Sequence, residues 1–241
     1  MHPNGGLLSI IIGTYNEAKN ISILIPKITE VLKRNKIPYE IIVVDDNSPD
    51  GTAEVVRNLA KKDKNLKLVL RKNEKGLATA ILTGLASSSG RYLAQMDADL
   101  CHDPKHLPQM LNIIKQDRAD IVVGSRYLPG SHFLDKSPFR KLVSMTAQSL
   151  AGMLLNIKVR DTTNNFRMFK REVYEKIKPN LTSKGNVILL EFLYLAKKSG
   201  YRIKEIPIHY VERKFGKTKL KVSKETYHFI KTLLKLVLKY A

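Results

Sequence analysis

The 241-residue sequence contains a single cysteine, Cys101. One thiol excludes an internal disulfide framework, supplies no zinc-ligand spacing, and suits a reducing compartment. Long hydrophobic runs are missing too, and no apolar stretch approaches the ~20 residues that span a bilayer. The N-terminus enters the apolar run Leu7–Ile12 almost at once, which reads as a strand and not as a signal peptide. No G-x-G-x-x-G follows that run, and no G-x-x-x-x-G-K-[ST] occurs anywhere. Dinucleotide dehydrogenases and P-loop NTPases are therefore poor readings. Acidic residues are scarce, with 22 Asp and Glu against 42 Lys and Arg, a net charge of +20. From Lys184 onward there are 14 basic and 4 acidic residues, so half the excess lies in the last quarter. This imbalance favours a polyanionic partner: nucleic acid, an anionic membrane surface or phosphorylated substrates.

What is present is an alternation. The runs Leu7–Gly13, Tyr39–Asp46, Leu66–Arg71, Arg91–Asp97 and Ala119–Gly124 read as short apolar strands. Between them Glu17–Asn35, Thr52–Lys62, Leu77–Ser88 and the segment from about Pro104 to Gln116 have helical spacing. Hydrophobic residues make up 43% of the chain, enough for one α/β domain with a mainly parallel sheet covered by helices on both faces. Phe139–Leu155 and Val187–Lys198 read as further helices, and Pro129–Pro138 and Arg213–Lys221 as loops. The last segment, Lys224–Tyr240, is amphipathic. Tyr227, Ile230, Leu233, Leu234 and Val237 form one face, and Lys224, His228, Lys231, Lys235 and Lys239 the other. Residues 1–222 are expected to form the catalytic domain and 223–241 a basic C-terminal helix.

In such a sheet the strand C-termini share one edge, where ligands bind. Here the strands end in Thr14-Tyr15-Asn16-Glu17, Asp45-Asp46-Asn47-Ser48, Asp97-Ala98-Asp99 and Ser125-Arg126-Tyr127. Asn47, Ser48 and Pro49 are turn formers, and Asp50 or Thr52 can cap a helix. Capping does not account for carboxylates at three strand ends. An Asp-x-Asp at such an end can hold Mg2+ or Mn2+ through one or two carboxylates plus substrate phosphates.

The stretches SIIIGTYNE (9–17), YEIIVVDDNSPDGT (39–52), KGLATAILTGL (75–85), MDADLCHDP (96–104), DIVVGSRY (120–127), FRK (139–141) and RKFGKTKL (213–220) together resemble glycosyltransferase family 2. Within it they look like the dolichyl-phosphate (polyprenyl-phosphate) mannose synthase branch. The resemblance implies a GT-A nucleotide-sugar transferase fold and transfer of mannose from GDP-mannose to a polyprenyl (dolichyl) phosphate. It also implies that Tyr15 and Glu17 sit at the base and ribose, and that Val44 and Asp46 read the base. Asp97, Ala98 and Asp99 would surround the ribose and diphosphate, with Asp99 as the ligand of Mg2+ or Mn2+. Arg126 and Arg140 would meet phosphate or acceptor groups, and Arg213 and Lys219 would clamp the two phosphates. Asp97, Asp99 and Arg126 would carry the catalysis.

Three positions depart from the family pattern. Gly13 stands where proline is usual, which should still permit backbone contact with the nucleotide. Cys101 stands near the metal where relatives carry glutamine or serine, and a neutral thiol is a poor ligand for Mg2+. Asn164-Asn165 replaces a glycine-containing turn, and asparagine tolerates the left-handed conformation. His102 and His106 read as polar residues around a helix start, and Tyr201 and Tyr210 as core residues. Three alternatives stay open. One is a polyprenyl-phosphate glucosyltransferase using UDP-glucose. Another is a transferase onto a saccharide hydroxyl with Glu191 as its base. The third, a basic nucleic-acid-binding module, sits badly with the acidic strand ends. A lipid acceptor further implies a cytoplasmic chain peripheral on the cytoplasmic face of a membrane, with room for a membrane-protein partner subunit.

Overall fold

The computed structural model describes residues 6–133, 146, 148–211 and 222–240. Their main sheet is built from β1 (Leu8–Thr14), β2 (Tyr39–Asp45), β3 (Leu66–Leu70), β4 (Tyr92–Gln95), β5 (Ile121–Ser125), β7 (Arg167–Lys170) and β8 (Ile203–Pro207). Its order is β3-β2-β1-β4-β7-β5-β8. Every neighbouring pair is parallel except the two that β7 makes, with β4 and with β5. A second sheet is a two-residue pairing of β6 (His132–Phe133) with β9 (His209–Tyr210). The expected strands are all present, each displaced by a residue or two at its ends, and β6 to β9 are additions that the apolar pattern did not reveal.

The strands alternate their side chains between two cores. On one face Ile10, Ile12, Ile41 and Val43 pack against α1 (Ala18–Arg34), through Leu24 and Ile28, and against α4 (Leu107–Lys115), through Met110 and Ile114. On the other, Ile11, Leu93 and Val123 meet Ile81 of α3 (Leu77–Ala86). The same core takes in Val173 of α6 (Arg171–Ile177) and Leu190 and Leu193 of α7 (Ile188–Lys198). This period of two in adjacent residues is what a sheet covered on both faces requires. The helix α3 lies close to the sheet because of Gly84. A Cβ there would stand 2.4 Å from Ile11 Cγ2, so no larger residue fits without moving the helix.

The helix α2 (Thr52–Ala60) follows β2, and a helix α5 occupies 148–154. The last helix, α8 (Val222–Tyr240), is docked on the domain. Leu233 and Leu236 are buried in the second core, with Phe229 and Val237 packed against it, and Lys235 Nζ donates to Thr182 Oγ1 at 2.9 Å. Thus the expected apolar stripe is divided. Leu233 and Val237 face the protein, while Ile230, Leu234 and Leu238 remain exposed at 51%, 56% and 80%. No described helix is long and apolar enough to cross a membrane.

Candidate active site

Since β1, β2, β4, β5 and β8 run the same way, their C-terminal ends meet on one edge. The reversed strand β7 brings to that edge the residues that precede it. Two carboxylates at the end of β2 and just beyond it prove to be internal fittings. Asp45 accepts from Thr14 Oγ1 at 2.8 Å, Ser48 Oγ at 2.6 Å and Ser48 N at 2.9 Å, so it locks β1 to the turn after β2. Asp50 accepts from Ala18 N at 3.0 Å and Thr52 N at 3.0 Å, serving the first turns of both α1 and α2. Both Asn16 and Asn47 take positive φ, 58° and 55°, at the two strand exits, where asparagine tolerates the left-handed conformation.

Asp46 is 6% exposed and bound on both oxygens. Its Oδ1 receives Arg71 Nε at 2.8 Å and also Arg71 Nη2, and its Oδ2 receives Gly76 N at 2.8 Å. The Arg71 guanidinium also donates to Gly76 O at 3.1 Å. Asp46 is therefore a carboxylate fixed in place by Arg71, a residue the sequence did not single out. Val44 is wholly buried, its side chain in the small cluster with Ile42 and Ala80 and its strand paired on both edges, so it exposes no atom to a ligand. Tyr15 and Glu17 are half-buried. The Lys75 ammonium lies 4.9 Å from the Tyr15 ring centre, and Glu17 Oε2 accepts from Asn20 Nδ2. A Cβ on Gly13 would lie 3.2 Å from Ala80 Cβ.

The end of β4 forms the acidic centre. Asp97 has 35% of its side chain exposed. Its Oδ1 accepts from Asn165 Nδ2 at 2.8 Å, and its backbone N–H donates to His102 Nδ1 at 3.3 Å. Ala98 and Asp99 are buried at 5% and 6% exposure. Asp99 Oδ1 accepts from Cys101 N at 3.1 Å, around a Leu100 held at φ 66°, an unusual conformation for a bulky residue. Burial and then the Asp99 charge push the Cys101 thiol well above its ordinary pKa, so it stays neutral.

His102 is buried between Phe166, stacked at 5.1 Å, and Tyr210, edge-on at 5.5 Å. His106 accepts from His209 N at 3.4 Å, and burial lowers its pKa. Both are packing and bracing residues. Among the described residues no group of three or more His, Cys, Asp and Glu side chains converges as metal ligands. Asp97 and Asp99 thus offer oxygen donors without thiolate or a histidine cluster. That donor set fits a hard ion that takes one or two carboxylates and completes its shell with phosphate and water.

Arg126 stands directly after β5. Its Nε and Nη2 donate to the two oxygens of Asp161 at 2.8 Å each, and its backbone N–H to Oδ2 at 3.0 Å. Burial alone would lower its pKa; the hydrogen bonds and charge of Asp161 reverse this and raise it above the ordinary value. The rings of Tyr127 and Tyr210 lie 5.3 Å from its guanidinium carbon. Tyr210 was expected in the core, yet it is half-buried in the site. Burial, then the neighbouring Cys101 and Asp99, push its phenol up. Arg140, Arg213 and Lys219 lie outside the described residues.

Glu191, a candidate base, is committed elsewhere. It is 2% exposed. Its Oε2 accepts from Thr182 N at 2.9 Å and Ser183 N at 2.8 Å, and its Oε1 from Thr182 Oγ1 at 2.9 Å. It is the anchor of the 182–183 loop.

A parallel sheet with one reversed strand, polar at its C-terminal edge and centred on an Asp-x-Asp, defines the GT-A class of nucleotide-sugar transferase folds. The chain belongs to glycosyl transferase family 2, whose family model matches residues 9–178. It is 35% identical over 233 residues to a dolichol-phosphate mannosyltransferase of Pyrococcus furiosus, covering 95% of this chain and 63% of that protein's length. It is also 35% identical over 217 residues to a polyprenol monophosphomannose synthase of Mycolicibacterium smegmatis, covering 88% of this chain and 80% of the relative. In structure it is similar to glucosyl-3-phosphoglycerate synthase from Mycobacterium tuberculosis in complex with Mn2+, UDP and glucosyl-3-phosphoglycerate. There the TM-score is 0.71 at 16% identity, over 97% of this chain and 80% of that one. The same enzyme with Mg2+ and UDP gives the same score. At that identity the likeness establishes the fold alone.

Proposed function

We propose that the chain transfers mannose from GDP-mannose to a polyprenyl (dolichyl-type) phosphate, releasing GDP. The observation that carries this reading is the division of charge at the sheet edge. Asp97 and Asp99 stand just past the end of β4, Arg126 stands just past β5 with its guanidinium paired to Asp161, and the buried Glu191 has its carboxylate spent on a loop. A saccharide hydroxyl would need a base to remove its proton, whereas a phosphate acceptor is ionised at neutral pH. The two relatives at 35% identity support the same acceptor class.

In the proposed reaction an oxygen of the lipid phosphate attacks C1 of mannose in line. The C1–O bond to the diphosphate breaks as the new C1–O bond forms, inverting the centre to a β-linked product. Asp99, with Asp97, would hold a Mg2+ or Mn2+ ion, whose chemistry there is to offset charge on the departing diphosphate. The chain's own part is positioning and electrostatic complementarity. Asp46, set by Arg71, faces the base, and Arg126 faces phosphate. The lipid acceptor places the protein on the cytoplasmic face of a membrane, with or without a membrane-protein partner. The exposed line Ile230, Leu234 and Leu238 on α8 suits contact with that surface.

The test is a transfer assay on anionic vesicles carrying polyprenyl phosphate, with GDP-mannose or UDP-glucose, with and without Mn2+, and with flotation of the same vesicles. Metal-dependent mannose transfer and salt-sensitive flotation are expected. Transfer from UDP-glucose alone would overturn the donor assignment, and transfer from neither donor would overturn the reading.

A further inference from the structure

Asp97 is held from two sides by groups outside its own strand. Antiparallel pairing sets Gln95 opposite Arg167, so the residues two further along, Asp97 and Asn165, face each other past the last pair of the ladder. There Asn165 Nδ2 donates to Asp97 Oδ1 at 2.8 Å. Asn165 is 4% exposed, and its own carbonyl Oδ1 is buried without a hydrogen-bond partner among the described residues. A buried carboxamide with one end orphaned is a poor choice for stability, because an unpaired polar atom loses its water and gains nothing.

The segment carrying Asn165 is braced with unusual thoroughness. Arg167 is fully buried. Its guanidinium donates to Asn164 O at 3.1 Å and 2.6 Å, to Leu189 O at 2.8 Å and to Thr162 O at 3.4 Å. Asn164 Nδ2 donates to Gly124 O at 2.7 Å and its Oδ1 accepts from Phe166 N at 3.0 Å. The turn 162–166 is thereby tied to β5, to α7 and to itself. From this turn Asn165 reaches the acidic centre, through its hydrogen bond to Asp97.

We propose that Asn165 is the positioning residue for Asp97, keeping one carboxylate oxygen engaged so that the other is presented to the bound donor, with Arg167 bracing the turn that carries it. The inference rests on the transferase reading above. It explains the orphaned Oδ1: the side chain is kept for its donor, at a cost to the fold.

The test replaces Asn165 with leucine, which has nearly the same shape and neither polar end. Turnover is expected to fall roughly 10- to 100-fold, the scale of a misplaced reacting group. The melting temperature should stay level or rise, because the orphaned oxygen is gone. GDP affinity with Mn2+ should fall by less than turnover does, since Asp99 and Asp46 are untouched. If the leucine variant does not accumulate folded, Asn165→Ser, too short to span the 2.8 Å contact, is measured for the same split. Wild-type turnover in a folded variant, or a loss of turnover that merely tracks a fall in melting temperature, would overturn the inference. A wild-type protein with no transferase activity would instead overturn the reading on which it rests.

Discussion

Removing the Arg71 guanidinium is expected to cost the fold several kcal/mol and to release Asp46, the carboxylate proposed to face the base. Arg71 and Asp46 have side-chain exposures of 6% and 8%, so neither charge has water to fall back on. In Arg71→Met the Asp46 carboxylate keeps the Gly76 N–H at 2.8 Å and loses both guanidinium donors. The carbonyl of Gly76 loses one of its donors and keeps Ala80 N–H and Thr79 Oγ1. Breaking a buried pair from one side costs about 3–5 kcal/mol. In a domain of this size each kcal/mol moves the melting temperature by about 2–4 °C, so a fall of roughly 6–20 °C is expected. The double replacement Arg71→Met with Asp46→Leu removes both charges and should recover most of that loss, because an apolar pair can occupy such a site at little cost. Thermal and urea unfolding of the wild type, both single variants and the double variant complete the cycle. Guanine-nucleotide affinity should fall in Arg71→Met and stay low in the double variant. A single variant melting within about 2 °C of wild type, or a double variant no more stable than Arg71→Met, would refute the reasoning.

Two other carboxylates give contrasting expectations. Burial alone would raise the pKa of Glu40, but hydrogen bonds from Lys67, Ser9 and Ser89 hold it at about 2 against an ordinary 4.5. Because the folded value is depressed, its contribution is fully present above pH 4.5 and is lost as the pH falls toward 2. That contribution is on the order of 3 kcal/mol, and urea titrations at pH 7 and pH 3 should show it shrinking in the wild type but absent from Glu40→Gln. At Glu191, a glutamine cannot accept all three donors of Thr182 and Ser183, so Glu191→Gln should lose about 1–3 kcal/mol of stability while turnover stays within about fivefold. Unchanged melting with turnover down about 1,000-fold would make Glu191 the base after all.

The left half of the sheet could be read in the sequence because its physics is local. Each of β1, β2 and β4 is a nearly unbroken apolar run ending in a polar cluster, and parallel crossovers require those ends to lie together. The right half could not be read that way. In β7 the buried Arg167 interrupts the apolar run, since its charge is satisfied by carbonyls that only the folded turn supplies. Hidden with β7 was its direction, and so the fact that residues before the strand, not after it, belong to the site. Asn165 was noticed as a departure from a turn pattern, without any sign that it faces Asp97. The strands β6 and β9 are two residues long and have no period to detect. Tyr210 looked like core because an aromatic residue in an apolar segment carries no mark of the arginine it will cover. The carboxylates after β2 were correctly located and partly misread, since only the fold reveals that Asp45 and Asp50 are consumed by turns and helix starts.

The reversed strand also governs when the acidic centre can come into being. Strands β4 and β5 do not pair with each other; β7 lies between them. The contact that orients Asp97 spans 68 residues of chain. Loops of that length close against a substantial entropic cost, and non-local pairings of this sort slow folding. The pairing of β1 with β4, Leu8 against Tyr92, is itself non-local, and the orientation of Asp97 adds a second such closure through β7. Without β7 the strands β4 and β5 have no common partner, and β5 keeps only its pairing with β8, so the acidic centre depends on a strand that contributes none of its carboxylates.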